Sequence, residues 1–222
     1  MHLFDEPPLR TLQNDRKYFN KTKRFFDIFA SLLLLVSLFP LMIIILFCVM
    51  LDGGPGLFGH QRIGRRGMRF KCLKFRTMRV DGDAMLAEFL ARDPIAREEW
   101  NSNRKLKHDP RVTSFGRILR STSLDELPQL FNVLRGDMSL VGPRPVTQNE
   151  LDLYYEPNSA RLAYLSVRPG ITGPWQVGGR SELSYPIRVA LDHKYAEQQS
   201  LRADILILFR TINVVMRRTG AH

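Results

Sequence analysis

The sequence predicts an α+β fold that is mainly α-helical and is anchored to a membrane near its N-terminus. Two observations indicate this class. From Ile28 to Leu51, 24 consecutive residues carry no charge, and in the stretch that follows, helical periodicity outweighs strand-like alternation. Hydrophobic residues make up 44% of the 222 residues, which is too many for a disordered chain and enough for one sizeable domain. We predict a polar lead over residues 1–20, a membrane helix over 21–52 and one membrane-associated domain over 53–222.

The uncharged segment has the length of a membrane helix. As an α-helix its 24 residues span roughly 36 Å, which is enough to cross the hydrocarbon core of a bilayer. The segment is too long for a cleaved signal peptide, and it lacks a small-residue cleavage site. The alternative is a helix that is buried in the core of a soluble domain.

Basic residues on both sides of this segment favour a re-entrant helix, which enters the membrane and returns to the same side. Residues 52–80 hold eight Lys or Arg against Asp52 alone, and the segment is preceded by Lys17, Lys21, Lys23 and Arg24. Positive residues mark the cytoplasmic side, and a simple span would place one of the two clusters outside. Pro40 lies at the middle, where it removes a backbone hydrogen bond and bends the helix. Ser37 offers a hydroxyl to the freed backbone.

The distribution of charge also separates classes of partner. The net charge is +11, but a membrane-tethered nucleic-acid-binding protein would not need the charge to be confined to the flanks of the anchor. We expect no nucleic acid as a partner, and we expect the basic flanks to attract phospholipid headgroups of the inner leaflet. Cys48 and Cys72 lack CxxC spacing and histidine partners, so the sequence suggests neither a disulfide framework nor zinc.

After the anchor, the sequence predicts a short β-hairpin followed mostly by helices. Residues 53–80 are rich in glycine, which we interpret as loop, and then alternate between apolar and polar side chains, which is typical of a turn and a short β-hairpin or strand. Helical signals follow at about 84–92, 95–106, 124–135, 148–166, 186–198 and 202–217. The last of these fits two alternatives equally well. Its apolar stripe with arginines beside it suits an interfacial amphipathic helix, and the same stripe suits a helix packed against the core.

Residues 121–145 combine two adjacent acids with a rigid basic turn. The sequence SLDE at 123–126 matches the capping box S-x-x-E, which explains the first and last residues of the motif but does not require Asp125. A carboxylate at a helix start lies next to free N–H groups that attract phosphate, so Asp125 is a candidate nucleophile toward a phosphoryl group. Repulsion between the charges requires that a divalent cation and arginines accompany it, and Arg120 and Arg144 are the nearest candidates.

Three long motifs, in the same order, resemble the bacterial sugar transferase family, the monotopic polyprenyl-phosphate phosphoglycosyl transferases. They are KCLKFRTM (71–78), DPRVTSFGRILRSTSLDELPQLFNVLRGDMSLVGPRP (109–145) and RPGITGPWQVGGRSE (168–182). The likeness runs from about Lys21 to the C-terminus, and it is greatest to short galactose-1-phosphate transferases of the succinoglycan type. The resemblance implies an enzyme of the bacterial inner membrane, with its catalytic domain on the cytoplasmic face, that starts exopolysaccharide repeat units.

The resemblance also implies a mechanism. Asp125 matches the family's nucleophile, which attacks the β-phosphate of a UDP-sugar, releases UMP and forms a covalent sugar-phosphate enzyme that undecaprenyl phosphate then attacks. Glu126 matches the partner acid, and the two acids are expected to bind Mg²⁺. Pro40 matches the proline that breaks the re-entrant helix, although Phe39 stands where the family commonly has serine. The residues expected to bind substrate phosphates are Lys74, Arg76, Arg120 and Arg144.

Several alternatives stay open at this point. Arg168 and Arg180 frame a loop rich in proline and glycine and are candidates to bind uridine or diphosphate, with simple surface contact as the alternative. The likeness to the succinoglycan type favours galactose as the transferred sugar, with glucose next. A non-catalytic membrane scaffold for polysaccharide assembly would use the same anchor but would not need Asp125. The sequence leaves the oligomeric state open, including a homo-oligomer.

Overall fold

The computed structural model describes residues 9–103, 106–155, 159–179 and 183–217, with side chains from residue 21 onward except at 102, 103 and 217. Its first element is α1 (Leu9–Met50), a single helix of 42 residues. A helix of this length extends about 63 Å. Because α1 begins at Leu9, helical structure reaches into the segment that we predicted as a polar lead.

One face of α1 packs against the rest of the chain, and its other faces are exposed. The buried apolar residues of the packed face are Leu35, Met42, Ile45 and Val49. Large exposed apolar residues of the other faces include Phe29, Leu33, Val36, Ile44 and Phe47. The part from Lys21 to Met50 is long and apolar enough to cross a bilayer, and only 22% of its most apolar window is buried. A helix in the core of a soluble domain would be mostly buried, so the exposed faces favour a lipid environment.

Pro40 lies inside α1, and the helix continues through it. Proline has no N–H to donate to the carbonyl of Val36, four residues earlier. The Ser37 hydroxyl donates instead to the carbonyls of Leu33 (2.9 Å) and Leu34 (3.2 Å). The expectation that Ser37 satisfies the freed backbone is therefore wrong, while the re-entrant course of α1 stays a prediction.

The predicted hairpin is confirmed as an antiparallel pair, β1 (Leu57–Ile63) and β2 (Arg69–Phe75). Its register runs from Leu57 opposite Phe75 to Ile63 opposite Arg69. The connection contains a 3₁₀ turn (Arg65–Gly67), in which Arg66 adopts a left-handed φ of 60°. Seven-residue strands are about 20 Å long, so the turn and the open end of this hairpin contact different parts of the domain.

Two further predicted helices, α2 (Gly82–Arg92) and α3 (Pro94–Asn103), are confirmed. A helix that we did not predict follows them, α4 (Ser114–Thr122). The hydroxyl of Thr113 accepts a hydrogen bond from the N–H of Gly116 and caps its start, a signal that the sequence carries locally.

The helix predicted over 124–135 is wrong in its first part. Residues Leu124–Glu126 form a 3₁₀ turn, and α5 (Gln129–Arg135) begins only after Pro128. This short helix lies at the centre of the domain, where it packs against α1, β2 and the strand that follows it. Val133 of α5 is completely buried in the main core. The turn that carries Asp125 is therefore attached directly to the most buried helix of the domain.

A second small sheet was not predicted. Strands β3 (Ser139–Val141) and β4 (Gly170–Thr172) pair in parallel, with Ser139 opposite Gly170 and Val141 opposite Thr172. Strands of three residues are too short to show an alternating pattern, and these two are distant in the sequence. The sheet brings the loop after β3 next to the loop after β4.

The remaining helices are α6 (Gln148–Tyr154), α7 (Ser159–Ser166), α8 (Pro174–Gly178), α9 (Tyr185–Glu197) and α10 (Leu201–Arg217). Two of them, α6 and α7, occupy the range that we predicted as one helix, and α8 was not predicted. The helix α10 has features of both a core helix and an interfacial helix. It buries Ile207 in the core but exposes Leu206, Phe209 and Met216.

Candidate active site

The two adjacent acids lie on the 3₁₀ turn between α4 and α5. Ser123 ends α4 in the left-handed conformation, with φ 58°, and its side chain makes no capping hydrogen bond. The predicted capping box at 123–126 is therefore wrong, because a capping serine needs an extended backbone. A capping box forms instead at Thr147 and Glu150, at the start of α6. The side chain of Glu126 is consequently free of a capping role, and it points to a lysine.

Lys74, near the open end of the hairpin, lies between the two carboxylates. Its Nζ donates to Oε1 of Glu126 at 2.6 Å and lies 3.6 Å from Oδ2 of Asp125. The lysine side chain is 27% exposed, whereas that of Asp125 is 11% exposed. The structure thus brings together three of the residues that the sequence singled out.

Asp125 combines burial with a positive surrounding. Burial raises the pKa of its carboxyl, and the nearby charge of Glu126 adds to the rise, while Lys74, Arg120 and Arg144 lower it. A carboxylate must be ionised to attack phosphorus. The three cations therefore oppose the effect of burial and favour the ionised, reactive form of the carboxyl group.

Asn132 fixes α5 to β2 and so fixes the acids relative to Lys74. Its side chain is completely buried. The amide oxygen accepts from the N–H of Leu73 (2.9 Å), and the amide nitrogen donates to the carbonyl of Lys71 (2.8 Å). Both bonds lie within three residues of Lys74 on the same strand. Nothing in our sequence reasoning identified Asn132, because a polar residue inside a short apolar helix gives no sign of its partner.

Arg144 reaches the same site from the loop that follows β3. Its NH1 lies 3.7 Å from Oε1 of Glu126, and its side chain is 40% exposed. The loop backbone is fixed on both sides: the N–H of Gly142 donates to Thr172 (2.9 Å), and the N–H of Gly170 donates to Pro143 (2.8 Å). A Cβ on either glycine would overlap neighbouring backbone, so this close approach requires glycine at both positions.

The ring of Trp175 packs against the guanidinium group of Arg144. The Arg144 guanidinium lies 5.9 Å from the centre of the Trp175 ring, and that of Arg188 lies 4.8 Å from it. The indole is buried, so it is part of the support beneath the two arginines. Asp192, on α9, is also buried here and accepts a hydrogen bond from the Tyr155 hydroxyl at 2.9 Å. Sequence reasoning missed Arg188 and Asp192, which carry no motif of their own.

Arg120 and Arg76 have different surroundings. The positive charge of Arg120 lowers the pKa of Asp125, and its Nε donates to the hydroxyl of Thr77 at 2.9 Å. Arg76 is buried at the end of α1, where it forms an ion pair with Asp52 and donates to the carbonyls of Val49, Pro55 and Met78.

All five N–H donors of the Arg76 guanidinium have a partner in these bonds. The structure therefore corrects our interpretation of Arg76 as a phosphate ligand. Arg76 instead binds the carbonyl of Val49 in the last turn of α1 and that of Pro55 in the loop that follows.

Arg168 is not brought to the acids either. Its Nε donates to the carbonyl of Gly136 (2.8 Å), just after the C-terminal end of α5, whereas Asp125 lies before the N-terminal end of that helix. The interpretation of Arg168 as a ligand of uridine or diphosphate stays a prediction. Arg180 lies outside the described residues.

The donor set at the acids fits a magnesium ion. Mg²⁺ is usually bound through one or two carboxylates together with substrate phosphates and water. Asp125 and Glu126 supply two carboxylates, whose oxygens approach the same lysine nitrogen. No group of three or more metal-ligating side chains occurs in the described part of the chain, so the remaining ligands would come from substrate and water.

These residues can carry out group transfer at phosphorus. A buried carboxylate can attack, Lys74 and Arg144 can neutralise phosphate oxygens, and the acids can bind a divalent cation. Thr77 and Trp175 hold two of the arginines in place. The site thus has the parts that a covalent mechanism at a diphosphate needs.

Comparison with known proteins identifies the family to which the chain is similar. The profile of a family described as bacterial sugar transferase matches residues 18–218 of the chain. The undecaprenyl-phosphate galactose phosphotransferase of Salmonella typhimurium is 52% identical over 200 residues, which cover 90% of this chain and 41% of that protein. The exopolysaccharide production protein ExoY of Sinorhizobium fredii is 50% identical over 202 residues, which cover 90% of this chain and 88% of that protein.

A more distant relative is the undecaprenyl-phosphate glucose phosphotransferase of Komagataeibacter xylinus, at 42% identity over 199 residues. The match covers 86% of this chain and 35% of that protein. The chain thus spans less than half the length of the two phosphotransferases, but most of the length of the exopolysaccharide production protein.

Proposed function

The chain belongs to the bacterial sugar transferase family, and we propose that it transfers a hexose 1-phosphate from a UDP-sugar to undecaprenyl phosphate with release of UMP. The observation that carries this proposal is the buried carboxylate of Asp125, which lies 3.6 Å from Lys74 and directly beside Glu126. Cations at that distance favour the ionised carboxylate and also neutralise an incoming diphosphate.

The names of the relatives support both substrates. Two relatives are named for undecaprenyl phosphate, one with galactose and one with glucose. We favour UDP-galactose as the donor because the galactose phosphotransferase is the more similar of these two, and UDP-glucose is next. Similarity over 88% of an exopolysaccharide production protein supports a role in the first step of exopolysaccharide repeat-unit synthesis.

In the first half-reaction, a carboxylate oxygen of Asp125 attacks the β-phosphorus of the UDP-sugar. The bond between that phosphorus and the oxygen bridging to UMP breaks, and UMP leaves with the electron pair. We assign Lys74 and Arg144 to the diphosphate, since both lie beside the acids and both are partly exposed. The sugar phosphate is then esterified to Asp125.

In the second half-reaction, a phosphate oxygen of undecaprenyl phosphate attacks the same phosphorus. The bond to the Asp125 oxygen breaks, the carboxylate is regenerated, and the product is undecaprenyl diphosphate sugar. One nucleophile thus serves two bulky substrates in succession, as in a ping-pong cycle. Mg²⁺ held by Asp125 and Glu126 would supply charge neutralisation of the diphosphate.

A membrane location suits a lipid substrate. The exposed apolar faces of α1 and α10 support association with the bilayer. We propose that α1 is re-entrant and that the domain lies on the cytoplasmic face of the bacterial inner membrane, where nucleotide sugars are found. Cysteines introduced as Asn20→Cys and His60→Cys should then react with an impermeant thiol reagent from the cytoplasmic side alone. Reaction of either cysteine from the outside would exclude the re-entrant course.

Release of UMP tests the reaction itself. With UDP-galactose, undecaprenyl phosphate and Mg²⁺, we expect Asp125→Asn to lose activity by at least about 1,000-fold. Asp152→Asn is the control, because Asp152 is a half-exposed acid that is paired with Arg161 away from the site. Mass spectrometry of enzyme incubated with donor alone should find the sugar-phosphate adduct on residue 125. Equal UMP release from wild type and Asp125→Asn would refute Asp125 as the nucleophile, and no UMP release from either protein would support the non-catalytic scaffold.

A further inference from the structure

A second group of cations lies at the N-terminal part of the anchor, away from the acids. Lys23 and Arg24 of α1, Arg65 of the hairpin turn and Arg168 together line one narrow cleft. Asp27 is the one carboxylate among the residues that line it. The cleft therefore carries an excess of positive charge.

Two of these arginines are fixed by α5. Arg24 donates to the carbonyls of Val133 (2.6 Å) and Leu134 (3.0 Å), and Arg168 donates to that of Gly136 (2.8 Å). The last carbonyls of a helix attract cations, so α5 orders both guanidinium groups. Carbonyl groups are neutral, however, and they leave the full charge of both arginines in the cleft.

Arg65 adds an unsatisfied donor. Its Nε is buried and has no hydrogen-bond partner among the described residues. Burial lowers the pKa of Arg65, and the charges of the neighbouring Arg168 and Arg66 lower it further. A buried N–H without a partner costs free energy, and a bound anion would remove that cost.

The carboxylates near the cleft are already engaged. The oxygens of Asp27 accept from the Ser139 hydroxyl (2.8 Å) and from the N–H of Leu140 (3.1 Å). Lys23 is neutralised by Asp204, at 2.6 Å. Asp27 acts on Arg168 through its charge, but among the described residues no carboxylate forms an ion pair with Arg24, Arg65 or Arg168.

The cleft is distinct from the candidate active site. Arg24 and Arg168 bind the C-terminal end of α5, and Asp125 precedes its N-terminal end, about 10 Å away along a seven-residue helix. Arg65 is at the turn of the hairpin, and Lys74 is near its open end, with about 16 Å of strand between Arg69 and Lys74.

We propose that this cleft binds a phosphate group, with Arg24, Arg65 and Arg168 as its ligands. Planar guanidinium groups suit phosphate oxygens, and the narrowness of the cleft fits one or two oxygens of a phosphate rather than a sugar or a base. The chemistry is shared by two sources, the phosphodiester of a lipid headgroup and free phosphate. The cleft adjoins Lys23, at the start of the apolar part of α1, where headgroups lie if α1 enters a bilayer. This inference goes beyond the transfer reaction and does not depend on it.

Two variants of the same hairpin make a matched test. Arg65→Gln removes a cation from the cleft, and Arg69→Gln removes one from an exposed position on β2 that does not line it. Intact protein in nanodiscs of phosphatidylcholine and phosphatidylglycerol at 7:3 is transferred to detergent and examined by native mass spectrometry. If a lipid headgroup is the ligand, wild type and Arg69→Gln retain one phosphatidylglycerol, and Arg65→Gln retains at least five-fold less.

Inorganic phosphate supplies the second arm. If free phosphate is the ligand, 10 mM phosphate at constant ionic strength raises the thermal midpoint of wild type and of Arg69→Gln by several degrees but leaves that of Arg65→Gln unchanged. A folded Arg65→Gln protein that matches Arg69→Gln both in lipid retention and in the response to phosphate would overturn the proposal. Neither measurement uses sugar transfer, so failure here is distinguishable from failure of the proposed reaction.

Discussion

Lys74 donates a hydrogen bond to Glu126 at 2.6 Å while its ammonium group lies 3.6 Å from the carboxylate of Asp125. The lysine thus binds one acid directly and acts on the other through its charge alone. This arrangement leaves the Asp125 oxygens free of a hydrogen bond from lysine, which would have to break before attack. It also gives the two neighbours of Asp125 opposite effects on its pKa.

We predict opposite pH shifts for Lys74→Gln and Glu126→Gln. Burial and Glu126 raise the pKa of Asp125, and Lys74 lowers it, so loss of the lysine raises that pKa and loss of the glutamate lowers it. Because attack needs the ionised carboxylate, activity rises with pH through this pKa. The acidic limb of kcat/KM should therefore move to higher pH in Lys74→Gln and to lower pH in Glu126→Gln.

Both variants should also lose about 100-fold in kcat/KM at neutral pH, since each removes a group from the site. Lys71→Gln serves as the control, because Lys71 is an exposed lysine on the same strand. A limb that moves in the same direction in both variants would show that Asp125 is not the group that titrates.

Local patterns predicted the parts of the fold that local sequence determines. An uncharged run marked α1, and alternation marked β2, while the first strand of the hairpin lies in a stretch whose glycines we interpreted as loop residues. The parallel pair of β3 and β4 was missed because each strand has three residues, and the pairing of Ser139 with Gly170 is set by the packing of a glycine-rich loop. Tertiary contacts, rather than a pattern within either strand, make this sheet.

Site residues could be predicted where they belong to a sequence motif. They could not be predicted where only a tertiary contact brings them to the site. Asp125 and Glu126 stood in a long motif, but the capping interpretation failed because the end of α4 forces Ser123 into a left-handed conformation. Composition cannot tell whether an arginine faces a substrate or its own backbone. Arg76 and Arg144 both come shortly after a strand and both lie in matched motifs, yet Arg76 binds a carbonyl of α1 and Arg144 lies beside Glu126.

We predict that Arg76→Lys destabilises the protein without changing substrate affinity. Lysine cannot replace five donors in fixed directions, and the partners of Arg76 include three carbonyls at and after the end of α1. The loss should be about 2–3 kcal/mol, less than for a fully buried pair because the Asp52 side chain is 41% exposed. Thermal midpoint and KM for UDP-galactose are the measurements.

Arg79→Lys is the matched control for Arg76→Lys, because Arg79 is an exposed arginine that is paired with Asp81. It should leave both quantities unchanged. A raised KM in Arg76→Lys at an unchanged thermal midpoint would show that Arg76 binds substrate phosphate.

Asp192 should make the stability of the protein depend on pH. Burial raises its pKa from 3.8 to about 7, against hydrogen bonds from Tyr155 and Trp175 and the charge of Arg144. Between about pH 4 and pH 7 the folded state keeps a proton that the unfolded state has released, so stability falls as pH rises through this window, by at most about 1.4 kcal/mol per pH unit.

Asp192→Asn should remove this slope. The thermal midpoint of Asp192→Asn minus that of wild type should therefore increase as pH rises from 5 to 8. Asp152→Asn, which changes a half-exposed acid, should keep the wild-type slope. Parallel pH profiles for wild type and Asp192→Asn would show that Asp192 is ionised throughout.

The ion pair of Lys23 and Asp204 joins α1 to α10, and we predict that it is strongly coupled. Its Nζ–Oδ2 distance is 2.6 Å, and the Asp204 side chain is completely buried and also accepts from the Tyr195 hydroxyl (2.7 Å). Lys23→Met alone leaves a buried charge uncompensated and should cost about 3–5 kcal/mol. Lys23→Met with Asp204→Asn removes that charge, keeps an acceptor for Tyr195, and should recover more than half of the loss in thermal stability.

Lys21→Met is the control, because it removes a positive charge from the same part of α1 without breaking the ion pair. Lys21 lies two residues before Lys23 on the same helix and is exposed, so its loss should change the thermal midpoint little. Additive effects of Lys23→Met and Asp204→Asn would contradict the coupling, because independent residues change stability by the sum of their single effects. The expected non-additivity follows from the burial of the pair, since a buried acid that loses its cation must either be neutralised or be hydrated by local opening of the contact between α1 and α10.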